Sequence, residues 1–115
     1  MCRAKTLQIL NRLGMRLAGQ KEHRAALTLL ALALRESLQA GSQMYEAKVR
    51  NNMALVFGNA GKSALAERQL ARAMRLTEAK VGTDNKFYKV LSTNLAGLTP
   101  LSSAAPAYKA ATCRP

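Results

Sequence analysis

The chain has no tryptophan, and aromatic residues make up only 4% of it. A core without rings must be filled by Leu, Ala, Val and Met, which suits close-packed helices better than strands. Acidic residues are also scarce: six Asp plus Glu stand against 18 Lys plus Arg, for a formal net charge of +12. That imbalance favours acidic partners of any kind, including nucleic acid, an anionic membrane or an acidic protein segment, and says nothing about fold. No apolar run approaches the ~20 residues needed to cross a bilayer. The two cysteines, Cys2 and Cys113, lie at opposite ends of the chain and have no C-x-x-C spacing. With His23 as the one histidine, a zinc site would lack ligands. These features read as a reduced, cytoplasmic protein with no metal or other cofactor.

Proline is absent before position 100. Nothing therefore interrupts a helical reading of the first hundred residues. Hydrophobic residues make up 49% of the 115, enough for one folded domain. They recur at helical spacing in five segments: Leu7, Leu10, Leu13 and Leu17; Leu27, Leu30, Leu34 and Leu38; Val49, Met53, Val56 and Phe57; Leu65, Leu70, Ala73 and Leu76; Phe87, Val90, Leu91, Leu95 and Leu98. Gly19, Gly41, Gly61 and Gly82 fall between them, where a left-handed helix terminus is least strained as Gly. The acid-free, Arg-rich start (Arg3, Lys5, Arg12, Arg16) has the look of a mitochondrial presequence. Its phase with the repeat described next favours a first helix of the fold. From residue 99 to 115 the composition turns to Ser, Ala, Pro and Thr, which reads as an irregular tail.

Two segments superimpose at an offset of 40: Leu13-Gly14 with Leu17 on Met53-Ala54 with Phe57, and Ala26, Leu30 and Ala33 on Ala66, Leu70 and Ala73. Leu95-Ala96 begins the pattern again, 42 positions after Met53-Ala54. Polar residues precede each start: Asn11-Arg12, Asn51-Asn52 and Thr93-Asn94. Small residues let neighbouring helices approach closely, and Leu30 and Leu70 fill the space between pairs. A helix pair of this kind cannot bury its apolar face alone, so neighbours must stack.

The pattern Leu13-Gly14-x-x-Leu17…Ala26-x-x-x-Leu30-x-x-Ala33, repeated from Met53 to Ala73, resembles the tetratricopeptide repeat family. The period is longer than the family's usual ~34 residues, and is similar to the long-helix variety of kinesin light chains. The resemblance implies an all-α, right-handed solenoid of about two and a half repeats over residues 3–98. Its repeats would span 3–41 and 43–82, with a capping helix at 85–98. It also implies a protein-binding adaptor or scaffold rather than an enzyme, with a concave groove lined by the first helix of each pair. Carried over by position, that groove presents Gln8, Asn11, Arg12 and Met15, then Lys48, Asn51, Asn52, Leu55 and Asn59, then Asn94 with Thr93 and Gly97. Asn51, Asn52 and Asn94 draw the most attention, because an amide both donates to and accepts from a peptide backbone and Asn is a poor choice inside a helix. Arg12 and Lys48 make the groove basic and point to an acidic ligand. The family's carboxylate clamp is incomplete.

Arg68, Arg72 and Arg75 share a helix face, a second basic surface and the basis of an alternative reading as a nucleic-acid-binding protein. The apolar content of the fifth helix implies a cover for it: the tail, a partner or a second copy of the chain. Catalytic constellations are absent. Gly61-Lys62-Ser63 looks like the end of a phosphate loop, but the glycine that motif needs would fall on Val56. The tripeptide reads instead as a turn with Ser63 as helix cap.

Overall fold

A computed structural model describes residues 3–98. It contains five helices: α1 (Arg3–Gly19), α2 (His23–Ala40), α3 (Gln43–Asn59), α4 (Ser63–Val81) and α5 (Lys86–Ala96). No strand occurs among the described residues. The 99–115 tail lies outside them, as do Cys2 and Cys113. Consecutive helices pack against one another, α3 also packs on α2, and α1 touches α3. This is an all-α stack of helix pairs, with α5 closing one end against α4.

The small residues sit at the contacts. Ala26, Ala33, Ala66 and Ala73 are fully buried, with Leu30 and Leu70 between them. Two apolar clusters result. One joins Leu7, Leu30, Val49, Met53 and Val56 across α1, α2 and α3. The other joins Ala54, Leu70, Leu76 and Leu91 across α3, α4 and α5. Phe57 packs against both.

Gly14 marks the tightest approach of α1 to α2. A Cβ there would lie 2.9 Å from Leu30 Cγ and 3.0 Å from its Cδ2. Leu30 is fully buried, and the close approach is at its branch carbon as well as at a terminal methyl. Gly14→Ala should therefore destabilise the fold by about 1–2 kcal/mol, after the roughly 1 kcal/mol that Ala gains in helix propensity. At 4–8 °C per kcal/mol for a domain this size, roughly 5–15 °C should be lost in thermal unfolding. An unchanged Tm would mean that the helices part at no cost.

The turns repeat as the helices do. Glu22 N–H donates to Leu17 O at 2.9 Å, Ser42 N–H to Ser37 O at 3.1 Å, and Lys62 N–H to Phe57 O at 2.8 Å. This six-residue closure needs a left-handed residue just before each donor. Gly41 (φ 70) and Gly61 (φ 81) supply it, but in the first turn the residue is Lys21 (φ 63). Gly19, expected between elements, is instead the last residue of α1. The same closure makes Lys62 the residue that enters α4. Ser63 is thus already helical and does not cap, and no side chain caps α4. Ser42 does cap α3, accepting from Tyr45 N–H at 3.3 Å.

The open ends show in the exposure pattern. Met53 is buried against α1 and α2, but its equivalent Leu13 is 38% exposed, since no helix pair precedes α1 among the described residues. Ala96, expected at a close contact, is exposed among the described residues.

Candidate functional site: the α1–α3 groove

α1 and α3 run side by side on one face of the stack. Between them lies a cavity of about 440 Å³ lined by Gln8, Asn11, Arg12, Met15, Tyr45, Lys48 and Asn52. Helical spacing explains the set. Gln8, Asn11, Arg12 and Met15 share one face of α1, and Tyr45, Lys48 and Asn52 share the facing side of α3. Asn52 Nδ2 donates to Asn11 Oδ1 at 2.8 Å and closes the floor of the cavity. Gln8 Nε2 donates to the Tyr45 hydroxyl at 3.3 Å near one end.

Tyr45 was not among the residues singled out from the sequence. Lys48 Nζ stands 5.5 Å from the centre of its ring, within cation–π range. The three-residue spacing of Tyr45 and Lys48 on one helix face was the available signal. No carboxylate lines the cavity, and neither Arg12 nor Lys48 takes part in an ion pair among the described residues.

The other expected groove residues lie elsewhere. Asn51 is 5% exposed and Asn94 only 2%. Asn94 Nδ2 donates to Asn51 Oδ1 at 2.9 Å, tying α5 to α3 inside the stack. These two amides are spent on each other and offer nothing to a ligand. Leu55 is also buried, at 3% exposure. Asn59 closes α3 and lines no part of the cavity.

The two amide pairs follow one rule. At the first of the two polar positions that open each pattern stand Asn11, Asn51 and Thr93; at the second stand Arg12, Asn52 and Asn94. The second-position Asn of each repeat donates to the first-position Asn of the repeat before it. Arg12 occupies the donor position of the first repeat, where no earlier repeat is described. Its side chain faces the groove instead.

The remaining charges are partly balanced by partners on the same helix and on neighbouring ones. Glu46, nearly buried, accepts from Arg50 Nε at 2.8 Å and lies 3.6 Å from Arg72 Nε. Arg50 Nη1 also donates to Gln69 Oε1 at 2.8 Å, so this network fastens α3 to α4. Of the basic face Arg68, Arg72 and Arg75, the middle residue is thus committed to a carboxylate from α3. Arg3 pairs with Glu36 of α2 at 3.3 Å.

The tetratricopeptide repeat family model matches 6–38, spanning most of α1 and α2. The match supports a tetratricopeptide-type repeat over these residues. The α3–α4 pair repeats the same small-residue contacts and turn closure beside it, so the architecture is a tetratricopeptide-like helical repeat. The 40-residue period is compatible with the long-helix variety. No curated protein and no solved structure matches the chain. Tetratricopeptide repeats generally mediate protein–protein interaction and are typically not enzymes. Among the described residues, no three His, Cys, Asp or Glu side chains stand together as metal ligands. No described helix is long and apolar enough to cross a membrane.

Proposed function

We propose that the chain is an interaction module whose α1–α3 groove captures an acidic segment of a partner protein. The observation that carries this reading is the cavity's charge. Arg12 and Lys48 line about 440 Å³ in which no carboxylate answers them. Met15 and the Tyr45 ring offer apolar contact beside the two cations. Asn11 and Asn52 keep one amide group each beyond their mutual bond, able to engage a peptide backbone. An acidic residue flanked by an apolar one, in extended or helical form, matches these walls.

The test uses the purified chain and a fluorescein-labelled peptide rich in Asp, Glu and Leu. Charge reversal by Arg12→Glu with Lys48→Glu should weaken binding by about tenfold or more, with helicity by circular dichroism unchanged. Equal affinity for wild type and variant would sink the reading. Binding of RNA or DNA is the competing use of the +12 charge. It predicts a steep fall of affinity with salt and sensitivity to Arg68 and Arg75 rather than to the groove. The favoured reading takes Arg72's pairing with Glu46 as weakening that basic face. Self-association through the α5 face is a separate reading, which sedimentation would show as a dimer. The lack of a cysteine framework fits a reducing, cytoplasmic setting.

A further inference from the structure

The second helix of each pair carries an outer face that the groove does not use. On α2 it holds Arg24, Ala25, Thr28, Leu32 and Arg35; on α4 it holds Ala64, Leu65, Arg68, Arg72 and Arg75. All ten are exposed, on the side of each helix turned away from the buried Ala26, Leu30 and Ala33 or Ala66, Leu70 and Ala73. The positions correspond at the 40-residue offset: Arg35 with Arg75, Thr28 with Arg68, Leu32 with Arg72, Ala25 with Leu65. Arg24 and Thr28 line one cavity together with Lys62, the residue that enters α4, so the two faces adjoin. None of the chain's six acidic residues falls on them. Arg72 lies 3.6 Å from Glu46, while the other four arginines have no ion pair among the described residues. Arg68 and Arg72 are four residues apart and Arg72 and Arg75 three, so like charges repel along α4. An anionic surface laid against the face relieves that repulsion.

The apolar members of the face decide which surface fits. Leu32 is 39% exposed and Leu65 36%, and both stand among the arginines. Nucleic acid is met by cations and polar donors, with aromatic rings as platforms for unpaired bases. This face has no ring. Arginines interleaved with exposed leucines suit lipid phosphates and the acyl boundary just beneath them. We propose that the outer α2–α4 face docks on an anionic phospholipid surface, with its arginines on the headgroups and Leu32 and Leu65 dipping between them. The attachment is at the interface and involves no span.

The test is co-sedimentation of the purified chain with vesicles. Equimolar phosphatidylcholine and phosphatidylserine should bind it at least about tenfold more tightly than phosphatidylcholine alone. Each arginine near such a surface is worth about fivefold in affinity. Arg35→Gln with Arg68→Gln and Arg75→Gln should therefore weaken binding by about a hundredfold. All three residues are exposed and Gln is a good helix former, so helicity by circular dichroism should hold. Lys5→Gln with Arg16→Gln and Lys89→Gln removes the same charge away from the face and should cost no more than about fivefold. Leu32→Gln with Leu65→Gln should weaken binding by about fivefold or more, since each leucine has apolar area left to bury. The arginine variant should still bind the acidic peptide of the groove, so this proposal and the groove reading fail separately. The proposal is overturned if phosphatidylserine adds nothing, or if the control loses as much as the arginine variant. It is overturned in favour of nucleic acid if a mixed-sequence RNA binds more tightly than the vesicles and the leucine variant binds both as wild type does.

Discussion

Leu30→Ala should cost about 3–5 kcal/mol, the upper part of the range for a Leu truncated inside a core. Leu30 is fully buried where α1, α2 and α3 meet. Its neighbours include Gly14, Ala26 and Ala33, which have no atoms to extend into the space it would vacate. The surrounding Leu7, Val49 and Val56 are already enclosed on their other sides. The hole would therefore stay open, and the cost of a cavity rises with the volume left unfilled. Domains of this size are held by roughly 5–15 kcal/mol, so much of the total stability would go. Urea unfolding followed by circular dichroism measures it, with Leu38→Ala as the control. Leu38 is 53% exposed, so its truncation should change stability by no more than about 0.5 kcal/mol. A loss below about 1.5 kcal/mol at Leu30 would show that the helices close up over the gap.

The second large effect should come from a polar residue. Asn51→Ala is expected to destabilise the chain by about 1–3 kcal/mol, because it strands the Asn94 amide in a buried site with no acceptor. Replacing both members, Asn51→Leu with Asn94→Leu, should cost less than the sum of the two single changes, since no orphaned group remains. Asn52→Ala provides the contrast. Its bond to Asn11 borders the open groove, where water can take the missing partner's place, so its cost should stay under about 1 kcal/mol. Chemical denaturation of Asn51→Ala, Asn52→Ala, Asn51→Leu, Asn94→Leu and the Leu double variant gives the comparison. Additive losses at residues 51 and 94 would mean that the buried pair is not coupled.

The contrast between these neighbouring asparagines shows where the sequence could be read and where it could not. Periodicity located all five helices, because each buries a stripe at helical spacing and each stripe is visible in one dimension. The small residues at 14, 26, 33, 54, 66 and 73 announced the close contacts for the same reason. Adjacent residues on a helix, however, point about 100° apart, and which direction meets a neighbour depends on the placement of the next pair. Asn51 and Asn52 were therefore indistinguishable until α1 and α5 were placed on opposite sides of α3. Charge pairing was hidden likewise. Arg3 and Arg72 find their acids on other helices, at Glu36 and Glu46, while the acids nearest Arg72 on its own helix are not its partners. The turns were misread by one or two residues, at Gly19 and Ser63, because the closure bond from the preceding helix decides where the next helix begins. Of the groove, Gln8, Asn11, Arg12, Met15, Lys48 and Asn52 were legible from their repeat positions, and the structure adds Tyr45 to them.

The amide rungs have a consequence for how the helices are set lengthwise. Leucine and alanine surfaces are forgiving: slid by one turn, about 5.4 Å, one such stripe meets another almost as well. A hydrogen bond between two short amides tolerates no such slip, since it fails beyond a few tenths of an ångström. Asn11–Asn52 and Asn51–Asn94 thus act as pegs that fix the height of α3 against α1 and of α5 against α3. One buried polar residue in a coiled coil sets its register in the same manner. Here the Asn11–Asn52 peg also holds Tyr45 and Lys48 level with Gln8 and Arg12, so the alignment of the two groove walls is written into a pair of side chains as well as into the apolar core.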